Sequence, residues 1–204
     1  MGKPSDSGVF EQNIPEVPFI FVRHGTTNWE MEKVYDGFID YELNEKGVAD
    51  ANRAGELLQG KLENPNVYCS TFLRAIQTCD IIQQKNNFPC YTKILGLRGR
   101  EYGCLSSVKD AVLKLGKEKR FEEMEAILPP TSESKVNFEY RCLAALFNIL
   151  SENKHTNRTV LIISHDEVFK VFTNYLSNQR ISISKGGIKS FDCKNHQWVV
   201  SDVN

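Results

Sequence analysis

A three-layer α/β/α sandwich, built on a mainly parallel sheet with an antiparallel hairpin at its edge, is the architecture expected of this 204-residue chain. Short aliphatic runs alternate with amphipathic segments of helical period, the order that packs helices on both faces of a parallel sheet. Two of the runs, 18–22 and 159–163, are continuous and rich in β-branched or aromatic residues, as strands buried on both faces are. Near the C-terminus, two strand-like segments flank the polar turn Lys194-Asn195-His196.

The first strand, 18–22, ends on Arg23-His24-Gly25. Asn44 is a suitable N-cap for a helix over 44–62, in which Val48, Ala51, Ala54, Leu57 and Leu58 recur at helical spacing and Gly60 lies near the end. Residues 67–69 form a short strand that gives way to a helix over 72–84, with Arg74 in its first turn, and the alternating segment 90–95 is the third strand. Residues 106–128 are charged and helix-permissive. Lys114 and Glu118, and Lys119 and Glu123, stand four apart, which favours mutual pairing on a solvated face over an anion patch. Pro129-Pro130 ends that stretch; helices over 137–150 and 168–176 then bracket the strand 159–163, and a hairpin closes the chain over 189–200. Residues 1–15 read as a flexible leader, 16–204 as a single domain, and 104–135 as the segment that covers the site.

At this length one domain buries a sizeable core without disulfides or a structural metal. The formal net charge of −1 supplies no global basic field, so no nucleic-acid partner is expected and any polyanion must bind locally. Six cysteines, at 69, 79, 90, 104, 142 and 193, form no CxxC pair and no zinc-like spacing with the four histidines, and read as reduced thiols. No stretch approaches 18 consecutive apolar residues and the leader lacks a signal-like apolar centre. A cytoplasmic protein without a membrane partner is therefore expected. His155 and His196 lie in polar turns and read as surface residues.

The chemistry gathers at strand ends. Arg23 and His24 follow one buried strand, and Ser164-His165-Asp166 follows another more than a hundred residues later. If the two strands are parallel neighbours, both imidazoles reach the sheet edge where open α/β proteins bind ligands, and Arg74 points at the same edge. Two guanidinium groups and two imidazoles suit a phosphoryl group, because guanidinium forks match phosphate oxygens and stay charged at every working pH. Cationic neighbours keep His24 neutral, leaving a nitrogen lone pair to attack phosphorus. Arg23, Arg74 and His165 would stabilise the transferring group electrostatically, so this chemistry calls for no metal or other cofactor.

In these motifs the chain resembles the histidine phosphatase superfamily, also called phosphoglycerate mutase-like. The resemblance runs from Pro18 to Val200: Arg23-His24-Gly25-Thr26-Thr27-Asn28-Trp29; Asp40, Leu43 and Gly47; Ser70, Arg74, Ala75 and Thr78; and Ser164-His165. It implies that His24 is the phosphorylated nucleophile, that Arg23, Arg74 and Thr27 bind the phosphate, and that His165 completes the pocket. Where the family has Leu-x-Glu-x-x-Phe/Tyr-Gly, whose glutamate protonates the leaving oxygen, this chain has Leu97-Arg98-Gly99-Arg100-Glu101-Tyr102-Gly103. The acid position is Gly99. Asp166 and Glu167 replace the glycines usual after the second histidine, and a His-Asp pair there is similar to the acid phosphatase branch, in which the aspartate donates the proton. Asp166 is thus the first candidate acid and Glu101 the second, and a site with no efficient acid is the third reading. Asp166 also suits a helix N-terminus, and Glu101 suits pairing with Arg98 or Arg100. Glu30 and Lys170, where the family has Asn and Arg, further mark a remodelled pocket.

The expected activity is a metal-independent phosphomonoesterase acting on a phosphorylated small molecule or a phosphoprotein. The alternatives are a mutase, for which the compact stretch between Arg74 and His165 leaves no insertion, and a phosphate-binding protein with little or no turnover.

Overall fold

The strand β4 (Val160–Ser164) is buried along its whole length, because it lies in the middle of a six-stranded sheet and meets helices on both sides. The computed structural model describes residues 12–28, 40–103 and 121–203. Around β4 stand β1 (Phe19–Arg23), β2 (Asn66–Ser70), β3 (Thr92–Ile94), β5 (Ile188–Lys194) and β6 (Gln197–Asp202), in the order β3-β2-β4-β1-β5-β6. The first four are mutually parallel; β5 runs antiparallel to β1 and pairs with β6 as a hairpin. Asn195 and His196 turn that hairpin with positive φ.

Strand alternation divides the core into two layers. Phe19, Phe21, Val160, Ile162 and Phe191 face one side, where α4 (Lys135–Asn153) and α5 (Asp166–Ser177) cover them with Phe138, Leu146, Phe169 and Phe172. Val22, Val67, Cys69, Leu161 and Ile163 face the other, under α1 (Glu45–Leu58) and α2 (Leu73–Asn86). A short helix, α3 (Phe121–Ile127), ends before the proline pair.

Asn44 caps α1 as expected, accepting from the Gly47 N–H at 2.9 Å, but the helix stops at Leu58, short of the expected 62. Gly60, at φ +72, and Pro65 beyond it take the chain out of the helix. Val48, expected on the inner face of α1, is 42% exposed. The packed chain also begins before the expected boundary at residue 16, since Ile14 is buried in the larger core cluster. The rest of the expected leader (1–11), Trp29, Glu30, the turn at Asp36-Gly37 and most of the expected covering segment (104–120) lie outside the described residues. The five cysteines among the described residues are free thiols, and no helix there is long and apolar enough to cross a membrane.

Candidate active site

Register brings the two histidines together. Arg23 is the Cα partner of Ser164 in the parallel pair β1 and β4, so the next residues, His24 and His165, leave the sheet side by side. The backbone continues the tie, with His24 N–H donating to the Ser164 carbonyl at 3.0 Å, and the two rings lie 5.0 Å apart between centroids. Both are buried, at 5% and 3% exposure.

His24 Nδ1 lies 2.7 Å from the Gly25 carbonyl oxygen. A carbonyl only accepts, so the proton sits on Nδ1 and Nε2 carries the lone pair. Burial first, then the charges of Arg74, Lys185 and Arg23, hold this imidazole well below its ordinary range, outweighing the Gly25 bond. His165 is lowered in the same direction by burial and by Arg74, His24, Arg23 and Lys185. Its Nε2 is 2.8 Å from Ser70 Oγ, which itself accepts from the Phe72 N–H. Nδ1 of His165 is a buried atom without a hydrogen-bond partner among the described residues, and it carries the ring's proton when Ser70 is the donor to Nε2. An unsatisfied buried donor costs about 1–3 kcal/mol, and an anion would relieve that cost.

Arg23 is fixed by donating from Nη1 to the Ile183 carbonyl at 2.6 Å. Arg74 lies over the Phe72 ring and 3.7 Å from Asp40, whose two carboxylate oxygens also accept from the Leu73 N–H that opens α2. Burial pushes Arg74 down to about 10, against the carboxylates of Asp40 and Glu167, and leaves it charged at neutral pH. Thr27 is buried, and its backbone bridges to Leu43. The four central residues expected from sequence, Arg23, His24, Arg74 and His165, thus share one edge of the sheet.

The two carboxylates singled out as proton donors have other partners. Asp166, first residue of α5, accepts from the Ile183 N–H at 2.9 Å, pairs with Lys170 at 2.6 Å and lies 4.0 Å from Arg23. Glu101 pairs with Arg98 at 3.0 Å, while Arg98 also donates to Thr71. Arg100, the other partner considered for Glu101, pairs instead with Glu125. Two charged residues given no site role from sequence also lie here. Lys185, in the loop before β5, acts on both histidines; its only local signal is a lysine before the glycine pair Gly186-Gly187. Glu167 lies close enough to influence Arg74.

Because both buried imidazoles are neutral in the fold, acid must weaken it. In the unfolded chain each takes a proton near pH 6.5, so below that value the unfolded state binds more protons than the native state. Stability is then lost at up to about 1.4 kcal/mol per pH unit per histidine until the lowered folded value is reached. Urea midpoints should hold between pH 8 and 7, fall from about pH 6.5 to 5, and fall less steeply in His24→Gln. A midpoint level across the whole interval contradicts neutral burial.

A mainly parallel α/β sheet that delivers a tautomer-fixed histidine, a second histidine and two arginines to one strand edge has the donors and the nucleophile that a phosphoryl group requires. The chain belongs to the histidine phosphatase superfamily (branch 1), whose family model matches residues 19–204. A 2,3-bisphosphoglycerate-dependent phosphoglycerate mutase from Lactobacillus johnsonii is 26% identical over 213 residues, spanning 89% of this chain and 91% of the relative. Among solved structures, a putative alpha-ribazole-5'-phosphate phosphatase from Escherichia coli superposes with a TM-score of 0.75 at 18% identity, covering 94% of this chain and 97% of the other. A phosphoglycerate mutase from Bacillus anthracis superposes equally well, with a TM-score of 0.75 at 19% identity over 91% and 92% of the two chains. A mutase thus stands among the sequence relatives, and a putative phosphatase and a mutase share the fold.

Proposed function

We propose that the protein is a metal-independent phosphomonoesterase that works through a phosphohistidine on His24. One observation carries this reading: His24 is buried, neutral and protonated on Nδ1, so Nε2 is its bare nitrogen, on the strand edge it shares with Arg23, Arg74 and His165. In the first step the Nε2 lone pair forms an N–P bond while the P–O ester bond breaks toward the leaving alcohol. In the second, water attacks phosphorus, the N–P bond breaks, its electron pair returns to Nε2, and inorganic phosphate leaves. The arginines and His165 Nδ1–H hold the equatorial oxygens, where charge spreads during transfer. Membership in a superfamily with named phosphatases supports hydrolysis; the named mutases make phosphoryl return to a second hydroxyl the alternative reading.

The two differ in product. With p-nitrophenyl phosphate the protein should release inorganic phosphate and gain one phosphoryl group by mass, lost in acid and kept in base. With 3-phosphoglycerate it should not accumulate the 2-isomer. Isomerisation without phosphate release makes the protein a mutase, and saturable phosphate binding without either makes it a binding protein.

A further inference from the structure

Gly99 leaves a gap in the wall of the site, and a carboxylate from a different element fills it. A Cβ placed on Gly99 would stand 3.5 Å from His165 Cγ and 3.7 Å from Arg74 Nη2, so a side chain there would enter the phosphate centre directly. The atom nearest that position, at 3.4 Å, is Oε2 of Glu167, from the first turn of α5. Glu167 is fixed in place, Oε2 accepting from the Arg100 N–H at 3.2 Å and Oε1 from the Tyr102 hydroxyl at 2.6 Å. Two bonds leave lone pairs on both oxygens for a proton, because a carboxylate offers about four acceptor sites. The same residue borders a cavity of about 430 Å³, so the carboxyl stands between the phosphate centre and open space.

We infer that Glu167 is the proton donor of this site, taking over from α5 the place that Gly99 leaves empty. This rests on the phosphatase reading above. As the P–O bond of the ester breaks, its electron pair goes to the leaving oxygen, which takes the proton of the Glu167 carboxylic acid. In the second step the Glu167 carboxylate accepts a proton from the attacking water as the N–P bond breaks, and the acid is restored. Asp166, one residue earlier, holds Ile183 and Lys170 and serves as a positioning residue for Arg23. Glu101 holds Arg98. Asp40 holds Arg74 and the start of α2.

Leaving groups separate these roles. An alkoxide must be protonated as it departs, whereas p-nitrophenolate leaves without help. Glu167→Gln should therefore lower kcat/KM, which reads the phosphorylation of His24 alone, by about 10²- to 10⁴-fold on an alkyl phosphate such as β-glycerophosphate and by less than about tenfold on p-nitrophenyl phosphate, while kcat falls on both because water attack on the common phosphoenzyme loses its base. Asp166→Asn and Glu101→Gln should reduce both substrates alike. The double variant Gly99→Glu/Glu167→Ala rebuilds a carboxyl at the same spot from the other side and should regain alkyl phosphate turnover over Glu167→Ala alone. This rescue guards against a variant that is merely poorly folded. Equal losses of kcat/KM on both substrates in Glu167→Gln, or the selective loss appearing in Asp166→Asn instead, overturns the assignment while leaving the phosphatase reading intact. Absence of turnover of either ester by the wild-type protein overturns that reading and the proton donor with it.

Discussion

His24→Ala should lose at least about 10⁴-fold in phosphate release from p-nitrophenyl phosphate, and its phosphoenzyme should vanish. The loss is severe because the proposed covalent step rests on one atom. The Gly25 carbonyl holds the ring's proton on Nδ1, the surrounding cations and burial keep a second proton off, and Nε2 alone is left as nucleophile. Ser70 and Ser164, the nearby hydroxyls, are committed to His165 and to the Leu97 carbonyl, the latter at 2.6 Å. Neither can step in. Fold loss is not the expected cause, since the backbone around the ring is held independently: His24 N–H by Ser164, Gly25 N–H by Thr78 Oγ1, and the His24 carbonyl by Gly186 N–H. The variant should still bind inorganic phosphate through Arg23 and Arg74, and added imidazole, small enough for the vacated space, should restore part of the turnover. Retention of more than a hundredth of wild-type activity with an unchanged melting profile removes His24 from the nucleophile's role.

The same four central residues were readable in the sequence because each sits at a position fixed by periodic structure. Two continuous β-branched runs give parallel neighbours, and a residue just past the end of such a strand has little choice but the sheet edge. Arg74 follows the same logic from the first turn of α2. Carboxylates resisted this reasoning. Asp166 and Glu167 are adjacent in the chain and look equivalent as helix N-terminal acids, yet residues one apart on a helix diverge by about 100°. That rotation sends Asp166 to the Ile183 loop and to Lys170, its i+4 neighbour, and sends Glu167 to Gly99 and Tyr102. Which of the two stands beside His165 and Arg74 depends on the loop bearing Gly99, nearly seventy residues away. Lys185 was hidden for a similar reason, lying in an irregular loop whose path depends on Gly186 N–H donating to the His24 carbonyl and Gly187 accepting from Arg23 N–H. The helix boundaries that shifted, at Leu58 above all, are places where local turn chemistry competes with helical period.

Gly47→Ala should destabilise the protein by about 3 kcal/mol or more, although alanine is the better helix former by about 1 kcal/mol. Gly47 lies in the first turn of α1, where the loop after His24 presses against the helix. A Cβ on Gly47 would lie 2.0 Å from the Thr26 carbonyl oxygen, and one on Gly25 would lie 2.3 Å from the Gly47 carbonyl oxygen. Each glycine therefore meets backbone, which cannot swing aside as a side chain can. The loop is also bound to α1 by Asn44 N–H donating to Thr26 O at 3.1 Å and by Thr26 Oγ1 donating to Asp50 at 2.6 Å, so separating the two surfaces breaks those bonds. The damage should reach the chemistry, because the displaced loop carries the Gly25 carbonyl that fixes the His24 tautomer, and a shift near 1 Å costs about 10²-fold in rate. Gly55→Ala, in the same helix, is the matched control: its Cβ meets side chains and no backbone, Lys85 Cδ at 3.0 Å, Lys85 Cβ at 3.4 Å and Asn86 Nδ2 at 3.6 Å, and the variant should hold or gain stability. Urea midpoints and p-nitrophenyl phosphate turnover on the two variants test the idea together. If both gain stability as helix propensity alone dictates, the close seating of the His24 loop on α1 is not what holds the nucleophile in place.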